Sequence, residues 1–586
     1  MIKTYIKKIS KYEFFTILTF IFIFYGVFVR FQGLGYSNLQ GDEINPLRYL
    51  GNIKGVAPSV NNFLNYILHQ KRGPMQYIVN YINVYLFGYH NEFQVRLPFF
   101  IFGVVSFYTF YKLSKYVWES KKAALYTVLF LSLNGLFIAF SRITQYQAIL
   151  HLLVPLSLYL FAVGYEKNDL KKITLSAVFL GVSVLSHYDA LSTIAFFAIF
   201  LLHKLIWEKN YKKIFIYSTL FLSIFGLLSL SFYYPYFSKS YYSDNASTYI
   251  SGRTSWTQLV PVTPLVLKLI TMYAPIEYWF LLLVFIILGI FFSSFNSLNS
   301  LKILFIKISK KQITLIYSFL VTLLSFSIYF SYFYFKPRLS TLLFYFSSLS
   351  LVILLLFFKK VDAKRLGIVA WFLFSAFFYF FFIKDPRTHV YTVFMPGFIL
   401  AGYGFYSILG YLKNIKYLYF SFLTVFLTYF IYLSGLYWFV FVNRNPEYPW
   451  WKKRYLGRLV YRVHRVRYKK IDGVFGFNQY RHWEKIRDLY DKGCLVGSYS
   501  SNEKNSITSF YVGFNQTPEN EEAFKVGADT LVVVEGPHSW IYDGLREGDV
   551  PTYAYTLLDT FYNQDYSVTY IWGLKTKYPK GKMFCN

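Results

Sequence analysis

The run FFTILTFIFIFYGVFV at residues 14–29, followed at once by RFQGLGYSNLQGDE at 30–43, decides how the rest of the chain is read. Counted with its flanks, the run fills positions 13–30, close to the roughly 20 apolar residues a bilayer crossing needs. Lys3, Lys7, Lys8 and Lys11 precede it. No small-residue cleavage site follows; Arg30-Phe31-Gln32 comes instead. The segment therefore reads as an uncleaved first span whose start lies in the cytoplasm. The residues after it emerge on the opposite face, and Gly41-Asp42-Glu43 is among the first of them.

Apolar runs of this kind recur to about residue 442, near 97–117, 122–140, 147–165, 172–188, 189–207, 213–235, 270–293, 313–335, 339–358, 366–383, 391–411 and 418–442. With the first they make ~13 transmembrane helices. The shorter stretch Met75 to Phe87 reads as an interfacial helix in the first outward loop. Of 586 residues 55% are hydrophobic, and mean hydropathy is +0.36, which excludes an ordinary soluble enzyme. The net charge of +31 would suggest nucleic acid in a soluble chain. Here the cations sit in short loops such as Lys121-Lys122, Glu166 to Lys172, Lys302 to Lys311 and Lys413 to Lys416. That is the pattern of cytoplasmic loops, so anionic lipid headgroups are the expected partners and nucleic acid is not.

An odd number of spans places residues 443–586 outside, as a smaller α/β domain after a membrane domain of residues 1–442. The basic segment 452–470 runs against that placement by charge, although long domains translocate largely regardless of charge. Gln479 to Lys492 has an amphipathic helical pattern closed by Gly493. Cys494 to Tyr499, Ile507 to Gly513 and Thr530 to Val534 read as strands. Cys494 and Cys585 are the only cysteines; in an oxidising compartment they pair, and elsewhere they are two separate thiols.

The chemistry-bearing residues lie at outward ends of the spans. Asp42 and Glu43 form an acidic pair from which one carboxylate can take a proton from a hydroxyl, or which favours a helix start. Lys71-Arg72-Gly73-Pro74 offers two cations beside a turn. Ser141-Arg142-Ile143-Thr144-Gln145-Tyr146, Ser186-His187-Tyr188-Asp189 and Asp385-Pro386-Arg387-Thr388-His389 complete the set. Each alone reads equally as a membrane anchor. Together they describe one outward polar site rich in cations with a single acidic pair. Such a site suits a phosphorylated substrate with a long apolar tail. Glu92 and Arg96 stand four apart and read as a helix-surface ion pair.

In order and spacing these motifs resemble those of the membrane-embedded GT-C glycosyltransferases, in particular protein mannosyltransferases and the bacterial aminoarabinose transferase. Gly41-Asp42-Glu43 is similar to the family's acidic motif, and Lys71-Arg72-Gly73-Pro74 to its basic-Pro motif. The stretch from Leu86-Phe87-Gly88 to Val95-Arg96-Leu97-Pro98 looks like the approach to span two. Phe140-Ser141-Arg142, His187-Tyr188, and Arg387-Thr388-His389-Val390-Tyr391 with Pro396 are similar to later motifs. A second Arg common among relatives is Gln145 here.

The resemblance implies a multi-pass enzyme of the cell envelope membrane, with its site and C-terminal domain extracytoplasmic. It implies a polyprenyl-phosphate sugar donor and transfer with inversion. Asp42 is then the base with Glu43 beside it. Lys71, Arg72, Arg142, His187, Arg387 and His389 bind the donor phosphate; Tyr146, Tyr188 and Asp189 line the site. No obligatory metal is expected, although Asp42, Glu43, His187 and Asp189 offer ligands to a divalent ion. The acceptor, whether glycan, lipid or protein, stays open. A transporter or flippase for lipid-linked sugars is the alternative; it would favour internal repeats and ionisable groups at mid-membrane depth.

Overall fold

The computed structural model describes residues 11–50, 73–238, 263–298, 310–332, 337–357, 361–444, 475–513, 527–535, 547–563 and 566–585. Lys71, Arg72 and the basic segment 452–470 lie outside them. Helices stand at all thirteen positions expected of spans. Among the described residues nine are long and apolar enough to cross a bilayer, so the count of thirteen is not reproduced. Phe15–Phe31 and Thr314–Ile328 are apolar but shorter. Leu170–Ser186 has only 17 residues. The run expected at 122–140 is two helices, Lys121–Ser132 and Gly135–Phe140.

The break in that run has a physical cause. Asn134 caps the second helix, its side-chain oxygen accepting from the Phe137 amide at 3.2 Å. The first helix ends with carbonyls that have no partner within it. Arg30, buried at the end of the first span, donates to Ser132 O at 2.7 Å and Leu131 O at 3.0 Å. Its remaining donors go to Gly26 O and Ser141 Oγ. A side chain at Gly26 would meet Ser132 O at 2.7 Å, so only glycine lets the two segments approach this closely. The helical stretch Met75–Phe87 forms with the bounds expected of it.

The C-terminal part carries a mixed sheet in the order β1-β2-β4-β3. β1 (Tyr499–Ser501) is parallel to β2 (Thr530–Val534); β4 (Tyr566–Leu574) is antiparallel to both β2 and β3 (Tyr555–Asn563). β2 is buried throughout, which its unbroken apolar run requires. The strand expected at 507–513 is instead the helix Asn505–Val512. Ile507 and Tyr511, one turn apart, both face the core, and Gly513 at φ +93° ends it. The strand expected at 494–499 is confined to β1. The helix expected from Gln479 begins only at Trp483. Cys494 and Cys585 are joined in a disulfide.

Gln479 and Arg481 lie outside the helix and pair with the first outward loop. Asn38 N–H donates to Gln479 O at 2.9 Å, and Arg481 N–H to Asn38 Oδ1 at 2.7 Å. Gln479 N–H donates to Ser37 Oγ, and Leu39 N–H to the Tyr511 hydroxyl. The sheet domain is thereby stitched to the loop that carries Asp42.

Beside this seam lies a cavity of about 520 Å³ bordered by Tyr36, Glu92, Arg444, Tyr480 and Glu484. The Arg444 guanidinium covers the Tyr36 ring at 4.3 Å. Glu484 accepts from Asn38 Nδ2 at 2.9 Å, and Glu92 from the Tyr511 hydroxyl at 2.8 Å. Loss of water around it and the carboxylate of Glu92 push Glu484 up to about 7. Its folded value lies above the ordinary carboxylate value of 4.5, so the protonated form favours the folded state. That contribution is full at acid pH and is lost as the pH rises through about 7. Thermal unfolding between pH 5.5 and 8.5 is expected to show a midpoint falling with pH, and Glu484→Gln should flatten the dependence.

Candidate active site

Gly41–Ile44 is a single helical turn preceded by extended Gln40 (φ −91°, ψ 165°). The turn sends its two carboxylates to different places. Glu43 is fully buried and meets Arg96 in a two-pronged pair, Nε to Oε1 at 2.8 Å and Nη2 to Oε2 at 2.8 Å. The same carboxylate accepts from the Thr144 amide at 2.9 Å and the Gln40 amide at 3.2 Å. Arg96 donates its remaining hydrogens to the carbonyls of Leu34, Ser37 and Asn38. Both charges are therefore consumed in holding the loop. Arg96 pairs with Glu43, not with Glu92 four residues before it, because Glu92 faces Tyr511 of the C-terminal part.

Asp42 is half-buried. Its Oδ2 accepts from Gln145 Nε2 at 3.2 Å. Gln76 Nε2 donates to Thr144 O at 2.8 Å and lies 3.4 Å from Asp42 O, joining Met75–Phe87 to the same turn. Gln145 is the extended residue before the helix Tyr146–Lys167. It occupies the position where relatives of the resembled family carry a second Arg, and it holds Asp42 with a neutral amide.

Tyr146 continues the line inward. Its ring stacks on His187 at 4.1 Å between centroids, and its hydroxyl lies 3.4 Å from His389 Nδ1. His187 ends the helix Leu170–Ser186 in extended conformation, which starts the 3₁₀ turn Tyr188–Thr193. Tyr188 packs against His187 with centroids 3.9 Å apart. The turn buries Asp189 completely among hydrogen-bond partners. Asp189 accepts from the hydroxyls of Tyr379 at 2.8 Å and Tyr391 at 3.0 Å. His389 Nδ1 lies 2.7 Å from its Oδ2, and His187 Nδ1 3.1 Å from its Oδ1. One ligand atom each from His187, Asp189 and His389 lies within 4.8 Å of the others, so these three could hold a divalent ion. Asp42 and Glu43, also offered as ligands by the sequence, are not in this group.

Arg387 opens the 3₁₀ turn Arg387–Val390 at φ +44°, a left-handed conformation that costs a side-chain-bearing residue energy. It is exposed and donates to Asp385 at 2.9 Å. Gly73, next to Lys71-Arg72 in sequence, abuts Leu185, where a Cβ would lie 1.9 Å from the carbonyl oxygen. Arg142 is among the residues that the resemblance assigns to the donor phosphate. It is buried, and its donors go to the carbonyls of Gln32 at 2.7 Å, Phe441 at 2.9 Å and Gly476 at 3.1 Å, with Val29 also bonded. It clamps backbone from three parts of the chain.

An apolar cavity of about 530 Å³ lies within the membrane part. Ile270, Trp279, Phe326, Phe372, Val393 and Phe394 are among its walls. Two of its walls, Val393 and Phe394, belong to the helix Tyr391–Leu412 that follows His389 in the chain.

Residues 71–233 match the family described as dolichyl-phosphate-mannose-protein mannosyltransferase. That match spans less than half of the 586 residues. No curated protein matches it by sequence. Among solved structures it is similar to the oligosaccharyltransferase AglB of Archaeoglobus fulgidus in complex with an inhibitory peptide and a dolichol-phosphate. That match has a TM-score of 0.44 and 10% identity, covering 89% of this chain and 70% of that one. The Archaeoglobus fulgidus oligosaccharyltransferase complexed with Zn and sulfate gives 0.47 and 12%, covering 94% and 72%. ArnT from Cupriavidus metallidurans bound to undecaprenyl phosphate gives 0.40 and 10%, covering 95% and 98%.

In this candidate site Gln76, Gln145, Tyr379 and Tyr391 escaped the sequence reading. They are neutral, and three of the four sit inside or at the mouth of helices where such residues usually pack. The signal for Gln145 was present, as a departure from the resembled motif. Glu43→Ala strips Arg96 of its partner in a dry site, which should cost ~3–5 kcal/mol. The variant is expected to yield little folded, monodisperse protein in detergent, whereas Asp42→Asn should match the parent in yield and unfolding temperature.

Proposed function

We propose that this chain is a glycosyltransferase that moves a sugar from a polyprenyl-phosphate donor to an acceptor hydroxyl at the outer face of the membrane, with inversion at the anomeric carbon. The observation that carries this is the placement of Asp42. It is half-buried, accepts a hydrogen bond from Gln145, and is linked through Gln145 and Tyr146 to His389. The acceptor oxygen attacks C1 of the sugar while its proton passes to the Asp42 carboxylate. The bond from C1 to the phosphate oxygen breaks on the opposite side, and the electron pair leaves with polyprenyl phosphate. His389, His187 and Arg387, with Lys71 and Arg72 from the same loop, offset the charge growing on that phosphate. The prenyl chain takes the apolar cavity. Tyr146 and Tyr188 offer flat faces to the sugar. This acid–base step calls for no obligatory metal.

Two features support the outer face. The disulfide Cys494–Cys585 belongs to an oxidising compartment, and the domain carrying it is hydrogen-bonded to the Asp42 loop. The helix ends opposite the site carry the Lys-rich turns. Leu170–Ser186 runs from Lys171-Lys172 to His187, and Arg387–Leu412 runs from His389 to Lys413.

With purified protein, labelled donor and membranes from a strain lacking the gene as acceptor, Asp42→Asn is expected to lower transfer by ~10²–10⁴-fold. Transfer at the parent rate would remove Asp42 as the base. For sidedness, intact cells treated with a membrane-impermeant reductant and then an impermeant maleimide should become labelled at Cys494 and Cys585. Labelling only after lysis would put the site on the cytoplasmic face.

A further inference from the structure

The His187 ring poses an electrostatic problem that points to a missing cation. Its Nδ1 accepts the backbone N–H of Asp189 at 3.1 Å. An acceptor nitrogen carries a lone pair, not a proton. The same Nδ1 faces Asp189 Oδ1 at 3.1 Å. Two lone pairs directed at each other in a buried site repel unless a positive charge lies between them. On the other side of the carboxylate, His389 also presents Nδ1, at 2.7 Å from Oδ2. Among the described residues Asp189 forms no ion pair with Lys or Arg, although its side chain is completely buried. A buried carboxylate needs a compensating charge.

We propose that His187, Asp189 and His389 bind one divalent transition-metal cation, with zinc the best match to two imidazoles and a carboxylate. The ligand set has the composition of open sites, in which three protein groups leave a position for an external oxygen. The surroundings fit as well. The hydroxyls of Tyr379 and Tyr391 donate to Asp189 and fix its orientation, as outer partners of metal-binding carboxylates do. Tyr146, stacked on His187, fixes that ring. His151, equally buried, stacks on Phe137 with no carboxylate in contact and lacks these features. The external oxygen is assigned to the donor phosphate, and this role rests on the function proposed above; the binding of the metal does not.

Full-length protein carrying a tag that binds no metal, grown in zinc-replete medium, should retain about one equivalent of zinc by mass-spectrometric metal analysis. His389→Ala and Asp189→Asn should each reduce that content about tenfold or more. His389→Cys, which keeps a ligand, should retain it. A strong chelator should lower the parent's unfolding temperature, and added zinc should restore it. Protein that is metal-free as purified, gains none from added zinc and is indifferent to chelator would overturn the proposal, whatever the variants do. If His389→Ala does not fold, the parent's metal content and the Cys variant decide. Loaded protein that fails to turn over the donor would count against the proposed transfer and leave the metal site standing. Metal-free protein with full transfer would do the reverse.

Discussion

Glu43 and Arg96 meet deep in the interior, and nearly every other feature of the site is positioned by that meeting. A carboxylate and a guanidinium so deeply enclosed are tolerated only when each remaining hydrogen and lone pair finds a partner. Here they do: amides of Gln40 and Thr144 on one side, carbonyls of Leu34, Ser37 and Asn38 on the other. The pair thus draws together the first outward loop, the start of the second long helix and the turn before Tyr146. Since Glu43 is pulled inward, its neighbour Asp42 is left on the accessible side of the same turn, within reach of Gln145.

The site then separates two environments across a short distance. Around Asp42 the Gln145 amide holds one carboxylate oxygen. Around Asp189 the partners are imidazoles and phenols in a fully enclosed pocket. Tyr146 belongs to both, stacking on one histidine and bonding to the other from the residue next to Gln145. The first environment suits proton acceptance and the second suits a stable concentration of charge. A transfer reaction that moves a proton at one end and a phosphate at the other uses both.

Much of this was legible in the chain. The apolar runs placed the helices, since length and hydropathy are written locally. Asp42 stood out because an acidic pair just beyond a membrane exit is unusual. The contacts of other residues are not written locally. Arg142 and Glu43 carry the same charges as site residues and lie at the same depth. Only the spatial position of carbonyls from Gln32, Phe441 and Gly476 distinguishes a clamp from a ligand-binding group. The segment 122–140 looked continuous because nothing local announces that Arg30, a hundred residues earlier, will cap carbonyls at a break. Ile507 to Gly513 has apolar residues at spacings that fit either period, and length could not arbitrate for so short a run.

The Arg142 clamp also bears on the order of assembly. Its guanidinium, supplied early in synthesis, is satisfied by the end of the first span, the end of the last described span and the start of the sheet domain together. Until Phe441 and Gly476 have been made, a charge destined for burial lacks two of its carbonyl partners. The nascent membrane bundle must therefore stay open at that corner, with water or lipid headgroups solvating the arginine. Closure becomes favourable only once nearly the whole chain has left the ribosome. A single residue in this way makes completion of the bundle contingent on the arrival of its final segments.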